Sequence, residues 1–254
     1  MEGGLILSMP LLQEGLWVSL RVGGMWMVMP VFGSAVLPNR IRLLLVIATA
    51  ALVWVALGDG LSMPAMDGPQ FWMAALSELA IGMLLGFVLR LVFEAMLLGA
   101  ELMSLAMGLG FAQLNDPLRG TSAPVLGQLF SVFTTLVFLS LNGHVYMLQW
   151  LLWSYETPSP GLAFWLNDGI LQWSGWMFIH ALQVALPALF ALLLVNLGFG
   201  VISRSAPSLN LLAVGFPAAL LLGLGLLVIL APVLVEKVQV GLEAGYMLIA
   251  DLLS

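Results

Sequence analysis

Long apolar segments, separated by short polar ones, make up most of this chain. A membrane-spanning helix needs roughly 20 mainly apolar residues, and six segments approach or exceed that length. They are Leu11–Met29, Arg42–Leu57, Phe71–Gly110, Pro124–Trp153, Trp176–Ile202 and Leu211–Val235. The pattern therefore predicts an all-α, polytopic membrane protein built from about six long, kinked helices.

The third apolar segment is longer than a single crossing requires. Between Phe71 and Ala112 there is no proline and no paired glycine turn signal, so a hairpin is not indicated. One helix over these residues would be about 63 Å long, against a hydrocarbon core of about 30 Å. We expect the helix either to be broken or to project from the bilayer, where other protein chains would have to cover it.

Charged residues inside this third segment are unusual for an apolar helix. Arg90, Glu94 and Glu101 fall within about 40° of one another on a helix, and Glu78 lies nearer its start. Three interpretations remain open. The charges form buried ion pairs that hold neighbouring helices together, they line a substrate or proton path, or they occupy the exposed end of a projecting helix.

The composition excludes a soluble fold. Hydrophobic residues make up 62% of the 254 residues and charged residues 8%, whereas a soluble domain carries about 25% charged residues. Lipid or other apolar chains must therefore cover the surface. The net charge of −6 argues against a nucleic-acid partner. The N-terminal "MEGGLILSMP" lacks the basic region of a cleaved signal peptide, so we expect it to be retained.

No sequence motif indicates an enzyme. His144 and His180 lie far apart, and neither has a histidine or carboxylate four residues away. The sequence has no Walker loop, no G-x-G-x-x-G fingerprint and no cysteine that could form a disulfide or a thiolate metal site. We therefore expect no catalytic residue, no metal site and no cofactor.

The charges of the connecting segments alternate along the chain. By the positive-inside rule, the arginine-bearing segments 30–42, 113–123 and 203–210 are predicted to face the cytoplasm. The N-terminus and the acidic tail after Val235 are predicted to face the other side. This orientation holds only if residues 71–112 cross the membrane once, in agreement with a single long helix.

The last two apolar segments form a predicted hairpin around the turn "SRSAPSLN", Ser203–Asn210. Pro187 and Pro217 should kink its two helices, and such kinks need neighbouring protein to satisfy the freed backbone groups. A break near Ser154–Asp168 divides the chain into a four-helix part and this two-helix part.

Two separated polar motifs are the most specific features of the sequence. They are "FAQLNDPLRGTSAPVLGQLFSVFTTLVFLSLNGH" (Phe111–His144) and "SRSAPSLNLLAVGFPAALLLGL" (Ser203–Leu224). Both resemble signatures of the FliR family of flagellar export-gate proteins, whose type III secretion counterparts are called SctT. Chain length and the number of apolar segments are similar as well, so the resemblance covers essentially the whole chain.

The resemblance implies a subunit of a protein export gate. FliR-like proteins usually join five FliP and four FliQ subunits in a right-handed helical cone that passes unfolded flagellar proteins. It also implies FlhB and FlhA as partners, and the bacterial inner membrane and flagellar basal body as the location. On this basis residues 1–168 are expected to be a FliP-like part, and residues 169–254 a FliQ-like hairpin with a C-terminal tail.

The resemblance further implies that the polar segment 107–123 is a pore plug. Carried over by position, the plug residues are Met107, Gly108, Gly110, Phe111, Leu114, Asp116 and Pro117. Phe111 would be the apolar stopper, and Asp116 and Pro117 would set the turn. Relatives often have a second aromatic residue just before the Asp-Pro pair, where this chain has "LN". The alternative is an ordinary cytoplasmic connecting loop.

Two further polar sites are predicted. In "LNGH", Asn142 and His144 are expected to form an interhelical hydrogen bond at a bend, with proton sensing by His144 as the alternative. In the turn after the fifth apolar segment, we expect a contact with another gate component, made by Arg204, Ser205, Pro207 and Asn210.

A stand-alone secondary transporter of a small solute is the alternative function. Ionisable residues within apolar segments and proline-interrupted helices fit that class, although the sequence shows no convincing internal repeat. A transporter would be stable alone or as a homo-oligomer, whereas a gate subunit would need its neighbours.

Overall fold

The computed structural model describes residues 9–31, 38–58, 68–109, 125–156, 168–205 and 211–253. Within these residues the regular structure consists of helices only. The seven helices are α1 (Met9–Val28), α2 (Asn39–Leu57), α3 (Pro69–Ala106), α4 (Val125–Ser140), α5 (Gly143–Glu156), α6 (Asp168–Ser205) and α7 (Leu211–Leu253). The predicted all-α, polytopic fold class is confirmed.

Four of these helices, α2, α3, α6 and α7, are long and apolar enough to cross a membrane. α4 and α5 pass the same test as a pair interrupted at Leu141 and Asn142, which would make a fifth crossing. The sequence predicts six apolar segments, and α1 accounts for the difference. Its 20 residues include Glu14 and Arg21, which lower its hydropathy.

α3 is a single uninterrupted helix of 38 residues, which corresponds to about 57 Å. The expectation of one long helix rather than a hairpin is therefore confirmed. It ends at Ala106, earlier than the predicted Gly110, because the backbone takes a left-handed turn at Gly108.

α7 has 43 residues and continues past the charged pair Glu236 and Lys237. The prediction that this helix ends at Val235 and is followed by an acidic tail is wrong. Apolar residues recur at helical spacing after the charges, and Val238, Leu242 and Ile249 are buried. The C-terminal stretch is therefore an amphipathic continuation of the helix.

The chain folds into two compact units, each built from discontinuous parts of the sequence. Unit 1 consists of the described residues within Met1–Arg90, Asn142–Leu171 and Gly245–Ser254, and unit 2 of those within Leu91–Leu141 and Gln172–Ala244. α1, α2 and α5 belong to unit 1 and α4 to unit 2, while α3, α6 and α7 contribute to both. The division into residues 1–168 and 169–254 rests on likeness to two partner proteins, and it stays a prediction.

Glycines bring the backbones of α1 and α3 together in unit 1. A Cβ added to Gly82 would overlap the carbonyl group of Arg21, and one added to Gly86 would lie 2.6 Å from the carbonyl oxygen of Met25. Gly24 on α1 is similarly close to the backbone of α3. Gly82 and Gly86 are four residues apart, which is the small-xxx-small spacing of closely packed membrane helices.

In unit 2, α3 and α6 also meet at a glycine. The Cγ1 of Val184 would lie only 3.0 Å from a Cβ added to Gly99. On the same face of α6, the rings of Trp173, Trp176 and His180 stack in a row, with centroids 4.2 and 4.4 Å apart. Small and flat side chains thus allow close helix packing here as well.

The helices differ in how much of their surface the chain itself buries. In the apolar part of α3, 67% of the residues are buried, against 11% in α2 and 17% in both α6 and α7. Many large apolar side chains on α2, α6 and α7 therefore face the outside of the chain. Lipid or other protein chains must cover them.

Candidate functional site

A buried ion pair joins α1 to α3 in unit 1. The guanidinium of Arg21 donates to both carboxylate oxygens of Glu78, with Nε–Oε2 at 2.7 Å and Nη2–Oε1 at 2.8 Å. Arg21 is 2% exposed and Glu78 is 4% exposed. This two-point geometry is the strong form of the Arg–carboxylate contact. Glu78, which was predicted to make a buried polar contact, thus pairs with an arginine on another helix.

The same guanidinium binds the C-terminal turn of α5. Its Nη1 donates to the backbone oxygen of Ser154 and, at 3.0 Å, to the Oγ of Ser154. Carbonyl groups in the last turn of a helix lack intrahelical donors, and a cation there also complements the helix dipole. Arg21 therefore holds the end of α5 as well as the N-terminal third of α3.

An aromatic ring completes this cluster. The Cζ of Arg21 lies 4.0 Å from the ring centroid of Tyr155, a cation–π contact. The Tyr155 hydroxyl donates to the carbonyl oxygen of Val18 on α1 at 2.9 Å. We call Arg21, Glu78, Ser154 and Tyr155 the Arg21 node.

The chemistry of the Arg21 node is that of a structural contact. The guanidinium binds Glu78 and Ser154 at once, so each of these groups is already engaged within the chain. Removing either partner would leave the other charge buried without its counter-ion, which is strongly unfavourable. The node therefore fixes α1, α3 and α5 relative to one another within unit 1.

The other charged residues of α3 have different environments. Arg90 is exposed, and Glu94 and Glu101 are half-buried. The chain by itself therefore does not enclose the stripe that Arg90, Glu94 and Glu101 were expected to form. A role for these three residues in buried polar contacts stays a prediction.

α3 ends in a glycine turn directly before most of the predicted plug. Gly108 has a φ of 79°, which favours glycine. Gly108 N donates to Leu105 O and Leu109 N donates to Ser104 O, both at 3.0 Å; this is the hydrogen-bond pair of a Schellman motif. Met107 is buried and Gly108 half-buried. The remaining plug residues lie outside the described residues: Gly110, Phe111, Leu114, Asp116 and Pro117.

The predicted break in "LNGH" is present between α4 and α5. Asn142 is exposed and has a φ of 55°, a region that asparagine enters more readily than most residues. Its backbone oxygen accepts hydrogen bonds from the backbone N–H groups of Val145 and Tyr146, so Asn142 starts α5. Within the described part of the chain, the buried Nδ1 of His144 has no hydrogen-bond partner. The proposed roles of both side chains stay predictions.

His180, to which the sequence assigns no role, is buried between α6 and α7. Its Nε2 lies 3.0 Å from the carbonyl oxygen of Lys237, to which the Nε2–H tautomer donates. A Cβ added to Gly241 on α7 would lie 3.4 Å from both His180 Nε2 and Trp176. His180 therefore acts as a hydrogen-bonded packing residue. No group of three or more His, Asp or Glu residues that could hold a metal ion occurs in the described ranges.

The predicted contact turn after α6 is described only in part. Arg204 is exposed, and Ser205 is the last residue of α6. Pro207 and Asn210 lie outside the described residues. Its role in binding another gate component stays a prediction.

α4 presents a mixed apolar and polar surface to the outside of the chain. Its exposed apolar residues are spaced alternately four and three positions apart: Val125, Leu129, Val132, Leu136 and Leu139. Gln128, Ser131 and Thr135 run beside them, the first two exposed and the third half-buried. Such spacing is typical of a helix–helix seam, and hydrogen-bonding side chains suit a helix interface better than lipid. We call this surface the α4 seam.

The sequence analysis does not assign Arg21 a role in a polar contact, although the sequence contains a sign of one. Arg21 is the single charged residue within positions 16–39. Glu78 is likewise the single charged residue within positions 69–89. Opposite charges that stand alone in apolar segments are candidates for pairing. The glycine contacts also have a readable signal in "GMLLG", residues 82–86. No such signal marks Ser154, because Arg21 binds its backbone oxygen as well as its hydroxyl, and every residue has a backbone oxygen.

Known proteins resemble this chain over nearly all of its length. The sequence model of the family described as "Bacterial export proteins, family 1" matches residues 12–244, which include both polar motifs. The chain is 30% identical to the flagellar biosynthetic protein FliR of Escherichia coli (strain K12), over 94% of this chain and 92% of that protein. It is 31% identical to FliR of Aquifex aeolicus (strain VF5), over 81% and 80%. With FliR of Bacillus subtilis (strain 168) the identity is 26%, over 88% of each chain.

Proposed function

The chain belongs to the bacterial export proteins, family 1, and we propose that it is a subunit of the flagellar type III protein export gate. Similar proteins from three distant bacteria are named flagellar biosynthetic proteins, and four or five apolar helices here can cross a membrane. In this role the chain is a structural and conductive part of a channel for unfolded flagellar proteins and not an enzyme. It resides in the bacterial inner membrane, at the flagellar basal body.

The observation that carries the proposal of an assembled gate is the outward surface of α6. No residue from Leu193 to Arg204 is buried by the chain, and this stretch includes the exposed Asn196. Pro187 lacks an N–H group, so the exposed Gln183 keeps a backbone carbonyl without its usual helix donor. Polar groups of this kind need protein or water as a neighbour in the bilayer.

The partners in this proposal are FliP and FliQ, usually five and four copies around one copy of this chain, with FlhB and FlhA close by. The α4 seam supports contact with a partner helix, because its apolar spacing and its line of Gln128, Ser131 and Thr135 fit a second helix. The exposed Arg204 supports a cytoplasmic contact at the turn after α6. The aliphatic surface of α2 suits lipid.

Within the gate, residues 107–123 form the pore plug, with Phe111 as the stopper. The support is the turn at Gly108, which directs the chain away from the axis of α3 where the plug begins. An ordinary connecting loop is the competing interpretation. Deleting residues 110–123 should raise ion leak across the membrane while partner assembly persists, whereas an unchanged leak would favour the connecting loop.

The gate proposal is tested by co-expressing the affinity-tagged chain with the neighbouring membrane genes of its operon, followed by native mass spectrometry. A large hetero-oligomer with one copy of this chain is the expected result. A monomer or homodimer without partners would overturn the proposal and favour the secondary transporter. For that alternative, the engagement of Glu78 with Arg21 removes one of the ionisable groups that a transport path would use.

A further inference from the structure

The last two turns of α3 are buried along one face. Ala100, Met103 and Met107 are at most 1% exposed, and Ser104 is 3% exposed. On the α6 side this part of the helix is held at Gly99, where the Cγ1 of Val184 and the carbonyl oxygen of Ala181 would lie 3.0 and 3.2 Å from an added Cβ. The end of α3 is thus closely packed, although the chain leaves the helix immediately afterwards.

On the α7 side, the side chain of Met107 occupies the space that a side chain at residue 223 would need. A Cβ added to Gly223 would lie 2.5 Å from Met107 Cε, 2.7 Å from Cγ and 2.8 Å from Sδ. Gly225, two residues further along α7, has no atom within 4 Å of an added Cβ. A side chain at residue 223 would therefore have to displace the methionine, whereas one at residue 225 would meet no neighbouring atom.

The kind of side chain that fills this space also matters. Methionine is unbranched and can adapt its shape to a shallow gap between helices. Glycine inside a helix is about 1 kcal/mol less favourable than alanine. At residue 223, however, the absence of a side chain makes room for the side chain of Met107. The pairing of Met107 with Gly223 thus has the form of a specific packing site.

Met107 directly follows Ala106, the last residue of α3. Gly108 turns the chain through the Schellman motif one position later, so the direction of the outgoing chain depends on where Met107 is held. A shift of Met107 would move the start of the following segment with it.

We propose that Gly223 is a positioning residue that seats Met107 and thereby fixes where α3 ends relative to α7. The inference rests on the proposed gate function, because its consequence is that α7 controls the placement of the root of the proposed plug. Widening the side chain at residue 223 then disturbs the closed channel without disturbing membrane insertion.

The test compares Gly223→Val with Gly225→Val, which adds the same side chain to an uncrowded glycine of the same helix. Overpacking at a filled site should lower flagellar export, measured as secreted protein and swimming, by about tenfold for Gly223→Val. It should also raise ion leak, with the amount of chain and its capture of partners unchanged. Gly225→Val should behave as the wild type.

A graded change at residue 223 separates crowding of Met107 from a general packing defect. Gly223→Ala adds only a Cβ and should lower export by no more than about threefold, less than Gly223→Val does. Equal export by Gly223→Val and Gly225→Val, or a greater loss for Gly223→Ala than for Gly223→Val, would overturn the inference. Loss of the Gly223→Val chain from the membrane would overturn it too, because the defect would then be one of folding.

The contact itself can be tested independently of export, because the chain has no cysteine. The pair Met107→Cys and Gly223→Cys should form a disulfide on mild oxidation, whereas Met107→Cys with Gly225→Cys should not. If the wild-type chain captures no partners, the proposed gate function is wrong. The crosslink still shows independently whether residue 107 contacts residue 223. Absence of the crosslink between residues 107 and 223 would overturn the inference even if the chain assembles with its partners.

Discussion

α3 and α6 have the same length and nearly the same hydropathy but opposite surroundings. Each has 38 residues, and the mean hydropathies of their apolar parts are 2.1 and 2.3. The chain nevertheless buries 67% of the residues in the apolar part of α3 and only 17% of those in the apolar part of α6. Hydropathy therefore identifies both as membrane helices without revealing which of the two the chain itself buries.

Glycines distinguish the two helices. In α3, Gly82, Gly86 and Gly99 lie against atoms of neighbouring helices, so that a Cβ would collide with them. In α6, Gly198 and Gly200 have no atom within 4 Å of an added Cβ. The glycines of α3 serve contacts within the chain, and those of α6 lie on a surface that another helix could approach equally closely.

The largest effect is expected when the Arg21 node is broken. Arg21→Met leaves Glu78 buried without its counter-ion and should lower the free energy of unfolding by about 3–5 kcal/mol, measured by unfolding the purified chain in mixed detergent micelles. Glu101→Gln on the same helix is the control and should change stability by less than about 0.5 kcal/mol. A double variant, Arg21→Met with Glu78→Met, should recover much of the loss. Wild-type stability of Arg21→Met alone would contradict the role of the node.

The next largest effect concerns the glycines themselves. Gly82→Ala should cost about 2–3 kcal/mol, because the new Cβ overlaps the carbonyl of Arg21. Gly198→Ala should instead stabilise the helix by up to about 1 kcal/mol, since alanine is the better helix former. Both are measured by the same unfolding experiment. Effects of the same sign at both positions would remove the distinction between α3 and α6.

A smaller effect is expected at Tyr155. Tyr155→Phe removes the hydrogen bond to Val18 but keeps the ring over Arg21, so about 1 kcal/mol should be lost. Tyr155→Leu removes the cation–π contact as well and should cost about 1 kcal/mol more. If both variants are equally stable, the ring does not contribute to the node.

No loss of stability in the chain itself is expected for Gly198→Leu. With open space around residue 198, the purified chain should be stabilised by up to about 1 kcal/mol, as for Gly198→Ala, because leucine is also a better helix former than glycine. Capture of partner subunits should nevertheless fall, and Gly198→Ala should reduce it less than Gly198→Leu. Undiminished capture by Gly198→Leu would mean that this part of α6 faces lipid.

Much of the fold could be predicted because it depends on local sequence. Apolar runs gave the helices, the lack of proline and paired glycines gave the single long α3, and "LNGH" gave the break at Asn142. The end of α7 was missed, because the charges at Glu236 and Lys237 resemble a membrane boundary. Only the recurring apolar residues after them show that the helix continues.

The site was less accessible from sequence, because its contacts join distant helices through backbone atoms. The carbonyl of Ser154 that binds Arg21 is not distinguished by any side chain. The same holds for the space at Gly223, which is filled by Met107 from the turn that follows α3. Sequence could identify the lone charges and the glycines as unusual, but three-dimensional packing was needed to pair them.

The residues of the Arg21 node are synthesised in a fixed order. The ribosome makes Arg21 57 residues before Glu78 and 133 residues before Ser154. During synthesis the guanidinium therefore exists before any of its acceptors, and only a chain that has reached the end of α5 can enclose all of its hydrogen bonds. Completion of the node thus coincides with completion of α1, α3 and α5 as a group, and a chain truncated before α5 retains an arginine without its full set of acceptors in this region.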